Sequence, residues 1–205
     1  MKPDWIAPHR TAVIVIDCQV DFGAPDGEMA RRGADMAAPQ AALAKAIDLV
    51  DAARQAGVRI VFVRLLTPRG GENKIAREAK QRQPDHQPDL CVEGSHGADF
   101  VDPKPQAGDM IISKTHFSAF ARTGLADQLR AQGLDTLVLA GLTTECCVAS
   151  TAWDGFEHDF HIFIAEDACA AYDQGLHCHA LKALALSGAI MVPSGDFAQN
   201  WKKSI

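Results

Sequence analysis

The chain has 205 residues, 47% of them hydrophobic, and its 20 basic and 26 acidic side chains leave a net charge of −6. That is enough apolar material for one sizeable α/β core, so a single domain over residues 1–205 is expected. The acidic balance, without any long basic run, argues against nucleic acid or an anionic membrane as a partner.

The opening stretch, "MKPDWIAPHR", carries no apolar signal core, and no later stretch approaches the length of a membrane span. Six cysteines (Cys18, Cys91, Cys146, Cys147, Cys169 and Cys178) occur without a C-x-x-C pair. They read as reduced thiols rather than a disulfide frame, and a cytoplasmic protein is expected.

"TAVIVID" (Thr11–Asp17) is a β-branched apolar run ending on an acid, the pattern of a strand covered on both faces. After a Gly-, Pro- and Asp-containing loop, "MAAPQAALAKAIDLVDAARQAG" has helical spacing through Leu43, Ile47 and Val50 and stops at Gly57. "VRIVFVRLL" reads as the second strand and "DMIISK" as the third. Helix "TGLADQLRAQG", strand "DTLVLAG", a helix opening near Thr144, strand "FHIFIAED", helix "LHCHALKALALSG" and the short strand "AIMVP" follow. This alternation predicts a three-layer doubly wound α/β fold. Its sheet is six-stranded and mostly parallel, with helices on both faces and 3-2-1-4-5-6 as the common strand order. One connection breaks the rhythm. Residues 65–108 are rich in Pro, Gly and polar side chains, and only "ENKIAREAKQR" looks helical. A connection this long forms a lid, a pocket wall or a subunit contact, or is a plain surface insertion; sequence does not choose among these.

In an open parallel sheet, ligands bind beyond the carboxyl ends of the strands, where the strand order reverses. Asp17 follows the first strand, Lys114 ends the third, and Cys147 lies just past the fourth. The third strand would lie two spacings from the first, roughly 10 Å, a gap that a lysine side chain largely bridges. Thr144 reads as an N-cap, placing Cys147 in a first helical turn whose dipole favours a thiolate. A free thiol is only about 3% ionised at pH 7, so such help matters. Lys114 would add to it, and Glu145 would oppose it. Asp17 would accept the thiol proton, and the N–H groups of Thr143 and Cys147 would bind an oxyanion. Each residue also has a plainer reading: a turn aspartate, a solvated lysine, a small core cysteine. Spacing alone leaves both readings open.

Three segments in order, "VIDCQVDF" (Val15–Phe22), "GDMIISKTHFSAF" (Gly108–Phe120) and "LAGLTTECCVASTAWDG" (Leu139–Gly155), resemble the signature motifs of the isochorismatase-like cysteine hydrolases. The resemblance runs from about Thr11 to Pro193 and takes in "GVRIVFVR" and "EGSHGADF". It implies a triad of Asp17, Lys114 and Cys147, with Cys146 as packing. It also implies a cis peptide at Leu142–Thr143, before the Thr143 N–H that joins Cys147 in the oxyanion hole. Gln19, Phe22, Phe117 and Phe120 come from the same motifs. They are expected to shape a small pocket with Thr144 and with Glu93 or Ser95, although the aromatics read equally as core.

Family members that bind a metal use an Asp-x-His pattern after the second strand. This chain has "RLLTPRGGEN" there, and His86 and His96 lack ligand-like spacing, so neither a catalytic metal nor any other cofactor is expected. The cysteine favours C–N hydrolysis through a thioester over vinyl-ether cleavage. The text lies nearest the biuret, ureidoacrylate and carbamoylsarcosine side of the family, which implies a small amide, ureido or carbamoyl substrate and a homodimer or homotetramer. The rival readings are an ether hydrolase or lyase on the same fold, and a non-catalytic thiol-redox or binding protein.

Overall fold

A computed structural model describes residues 2–70, 78, 81, 82 and 89–202. Six strands form one sheet: β1 (Thr11–Ile16), β2 (Arg59–Leu65), β3 (Met110–Lys114), β4 (Thr136–Leu142), β5 (His161–Ala170) and β6 (Ile190–Val192). Their order is β3-β2-β1-β4-β5-β6, and every neighbouring pair is parallel. The expected doubly wound order is therefore present, with its reversal between β1 and β4. The longer helices are α1 (Ala37–Gln55), α2 (Leu125–Arg130), α3 (Ala149–Glu157), α4 (Gln174–Leu186) and α5 (Ser194–Lys202).

The strand period of two sorts the core into two faces. Ala12, Ile14 and Ile16 point to one face, where they meet Leu125 and Leu129 of α2, Ala149 and Ala152 of α3, and Leu184 of α4. Val13 and Val15 point to the other, against Ala42, Ala46, Leu49 and Val50 of α1 and Phe197 and Trp201 of α5. In α1, Leu43 and Val50 are buried and Ile47 is half-buried; the helix ends at Gln55, and Gly57, with φ +71°, closes the turn after its Ala56 cap.

Several elements differ from the sequence reading. The helix expected near Thr144 begins as a π-helical turn, Thr144–Val148, and Thr143 rather than Thr144 occupies its N-cap position, without a side-chain cap. The fifth strand runs on to Ala170 through a register break opposite Leu139–Gly141, so its carboxyl end lies three residues beyond "FHIFIAED". Helix α5 was not anticipated. Its first turn is capped from a distance, with Asp167 accepting from Ser194 N at 2.6 Å and from Ser194 Oγ at 3.0 Å. Most of the expected "ENKIAREAKQR" helix lies outside the described residues.

Where the strand order reverses, β1 and β4 run very close. Gly141 has φ +124°, and a Cβ there would overlap the carbonyl oxygen of Ile16. Only glycine lets β4 approach the end of β1 this closely, and that approach sets the Asp17 and Cys147 segments side by side.

Candidate active site

Asp17 leaves β1 with φ +52°, a left-handed conformation uncommon outside glycine. Its N–H donates to Val63 O at 2.9 Å, and its carbonyl accepts from Gln19 N at 2.8 Å, so main-chain bonds hold the turn. Ile16 is in register with Val63, and Leu65 with Lys114. Lys114 therefore starts two strands away and slightly further along the sheet. Its chain lies back across the end of β2, and Nζ donates to Asp17 Oδ2 at 2.7 Å and to Cys147 Sγ at 3.3 Å. The ammonium and the carboxylate are fully enclosed. Cys147 is 7% exposed.

These are the three side chains that the sequence singled out, now within hydrogen-bond range of one ammonium. Burial pulls the Lys114 ammonium down, but the charge of Asp17 and contact with Cys147 outweigh it, so the lysine is held above its ordinary value. The helix terminus was expected to favour a thiolate, but the neighbouring groups act the other way. A hydrogen bond with Cys146, burial and the Asp17 charge push the Cys147 thiol well up, against the opposing pull of Lys114. The Asp17 carboxylate is close by to take the proton of this candidate nucleophile. Asp17 Oδ1, the oxygen not used by Lys114, is buried with no hydrogen-bond partner among the described residues. Burial also pushes up the thiols of Cys18 and Cys91, and that of Cys169 to about 12, which makes them poor nucleophiles.

The Leu142–Thr143 peptide is cis, as the resemblance implied. Thr143 Oγ1 donates to Glu145 Oε1 at 3.0 Å, and Thr144 Oγ1 pairs with His177 Nδ1 of α4 at 2.8 Å, so both threonines anchor the turn that carries Cys147.

The expected pocket residues separate. Gln19 is fully buried and committed to main chain: Nε2 donates to Leu65 O and Ala98 O, and Oε1 accepts from Leu65 N. It is a clip joining the ends of β1 and β2 to the long connection, not a pocket wall. Phe120 is a core side chain, its ring 5.7 Å from that of Phe160 and 5.1 Å from that of His158, before β5 and thus at the amino end of the strands. Phe117 is 66% exposed, Glu93 is exposed and Ser95 is half-buried. Phe22 is half-buried, and its carbonyl accepts from Tyr172 OH at 2.8 Å. Thr144 is buried with its hydroxyl occupied by His177. His96 pairs with Asp99 at 3.0 Å on the surface, and His86 lies outside the described residues.

Tyr172 was missed. Its bond to Phe22 joins the loops after β5 and β1 across the end of β4, and its hydroxyl is pushed up by burial, then by Glu145, Cys91 and Cys147. The positional rule that found the other residues would have found it, had the strand end been placed at Ala170. A shallow cavity of about 720 Å³ lined by Arg54, Arg59, Gln106 and Gln132 lies at the opposite, amino end of the sheet, away from this thiol.

Fold and site together define an α/β protein with a thiol, an ammonium and a carboxylate enclosed at the switch point of a parallel sheet. The Isochorismatase domain model matches residues 11–196, and the chain belongs to that family. It is 31% identical over 179 residues to the ureidoacrylate amidohydrolase RutB of Azorhizobium caulinodans, an alignment covering 82% of this chain and 79% of the relative. A cysteine hydrolase from Pseudomonas syringae pv. phaseolicola shares the fold with a TM-score of 0.84 at 23% identity, over 98% of this chain and 96% of that one. The N-carbamoylsarcosine amidase of Thermoplasma acidophilum superimposes with a TM-score of 0.70 at 27% identity, over 90% and 96% of the two chains. Among the described residues, no helix is long and apolar enough to cross a membrane.

Proposed function

We propose that this protein is a cysteine-dependent hydrolase of a C–N bond in a small amide, ureido or carbamoyl compound. The observation that carries the reading is the single ammonium of Lys114 held between the Asp17 carboxylate and the Cys147 thiol in an enclosed site. Asp17 Oδ1 takes the thiol proton while Lys114 keeps the resulting charges together. The sulfur attacks the carbonyl carbon, and the N–H groups of Thr143 and Cys147 bind the oxyanion, a donor typically worth roughly 3–4 kcal/mol. The C–N bond breaks as Asp17 returns the proton to nitrogen, leaving a thioester and free ammonia or amine. Water then adds to the thioester, Asp17 again moving the proton, and the product acid leaves the restored thiol. The RutB and carbamoylsarcosine amidase relatives support this choice of bond.

The chain works in this reading as one domain without a metal or other cofactor, as a homo-oligomer in the cytoplasm. Exposed Phe117, Leu176 and Leu186 are apolar side chains that a subunit contact would cover, and all six cysteines are free thiols.

Ammonia release, followed with a coupled assay over ureides, carbamoyl amino acids and carboxamides, checks the reading. Stoichiometric ammonia from at least one of them is expected, together with a mass adduct on Cys147 under rapid acid quench. Neither ammonia nor an adduct across the panel, from a folded protein, would refute it.

A further inference from the structure

Among the described residues, three buried side-chain nitrogen or oxygen atoms have no hydrogen-bond partner: Asp17 Oδ1, Glu145 Oε2 and Arg54 Nε. Folded proteins leave few such atoms, and each calls for an explanation. Arg54 lies at the far end of the sheet and already donates to Asp109 and to the Lys104 carbonyl. The two carboxylate oxygens are at the candidate site. The proposed mechanism uses Asp17 Oδ1, but it has no use for Glu145 Oε2.

Glu145 is fixed in place. Its other oxygen, Oε1, accepts from Thr143 Oγ1 at 3.0 Å, and the residue sits in the π-helical turn two positions before Cys147. Burial and the Glu145 charge both push the Tyr172 hydroxyl up, so this carboxylate acts on a residue of the same strand-end region. An ionised carboxylate only accepts hydrogen bonds, so what completes Oε2 is an N–H or O–H donor. Thr143 ties this acceptor to the oxyanion hole. A scissile carbonyl oxygen on the Thr143 and Cys147 N–H groups would lie against the same residue that holds Glu145, which makes the retained side of that carbonyl the natural donor for Oε2.

Resting on the proposed hydrolysis, we infer that Glu145 is a specificity-determining residue. Its free oxygen accepts a hydrogen bond from an N–H on the retained side of the scissile carbonyl, selecting ureido and carbamoyl compounds that carry such an N–H over carboxamides. A ureide, R–NH–CO–NH2, offers that N–H, whereas a carboxamide presents carbon. A site with a buried polar group discriminates strongly against an analogue that leaves the group unpaired.

The test uses substrate pairs that differ only in NH against CH2: biuret against malonamide, and N-carbamoylglycine against succinamate. Wild type should prefer the ureide of a pair. Glu145→Gln keeps the size and a bond to Thr143 but turns a donor toward the substrate N–H. It should lower kcat/KM for the ureide roughly 10- to 100-fold, leave the carboxamide within about threefold, and so collapse the preference. Glu145→Asp, which retains an acceptor, should keep a preference of the same sign. Equal losses on both members of a pair would mean that Glu145 only holds the turn, and would overturn the inference, as would an unchanged ureide rate. If wild type releases ammonia from none of the four compounds or the wider panel, the hydrolase reading fails and this inference fails with it.

Discussion

Cys147→Ser should fold as wild type does and lose about 10³- to 10⁵-fold in kcat/KM, whereas Cys146→Ser should stay within about tenfold. The two thiols are neighbours in sequence, but only one touches the ammonium. Lys114 Nζ donates to Cys147 Sγ at 3.3 Å, and Cys147 is 7% exposed. Cys146 is half-buried and packs against the core on the face that α2, α3 and α4 cover. A serine at 147 keeps the hydrogen bonds but replaces a thiol by a much weaker acid, which Asp17 would have to deprotonate without the sulfur's polarisability. A thermal melt of each variant separates chemistry from folding. Comparable losses at 146 and 147 would remove the case for Cys147 as the nucleophile.

Lys114→Met should abolish turnover and also destabilise the fold by about 3–5 kcal/mol, because it leaves the Asp17 carboxylate buried without its partner. For a chain of this size, that is a fall of roughly 10 °C in melting temperature. Adding Asp17→Asn to this variant should restore part of the stability and none of the activity, since the uncompensated charge is gone. The pH dependence follows from the sign of the lysine shift. Burial pulls the ammonium down, but Asp17 and Cys147 hold it above the ordinary lysine value. Its contribution is thus fully present below that value and is lost only as pH rises through the higher folded one. Urea unfolding at neutral pH therefore reads the whole effect. A Lys114→Met protein as stable as wild type would show that Asp17 is protonated or otherwise paired when the lysine is missing.

The sheet was legible because a parallel strand buried on both faces leaves a plain mark. All six residues of "TAVIVI" are buried, and the alternating apolar segments led to the observed strand order. The Asp17, Lys114 and Cys147 positions were legible for a related reason, as polar residues at the carboxyl ends of apolar runs. What escaped depends on partners distant in sequence. Helix α5 is short and buries only two apolar side chains, Phe197 and Trp201, and its start is fixed by Asp167, 27 residues earlier. Nothing in the letter Gln at position 19 tells whether its amide faces a ligand or, as here, main-chain groups from residues 65 and 98. Phe120 lies six residues past Lys114, far enough for the chain to turn and place the ring beside Phe160.

The position of β1 and β3 in the sheet has a consequence for how activity fails. β1 is paired on both sides and all its residues are fully enclosed, so its amide hydrogens exchange only when the whole sheet opens. Among the described residues β3 is an edge strand paired only with β2, with Ile111 49% exposed, and such a strand opens by fraying at a much smaller cost. Lys114 is the last residue of β3, and Asp17 directly follows β1. The ion pair at the site therefore joins a strand expected to exchange slowly to one expected to exchange faster. Mild denaturant or heat that loosens the sheet edge should separate the ammonium from the carboxylate while the core is still folded, so activity is expected to fall ahead of the cooperative transition.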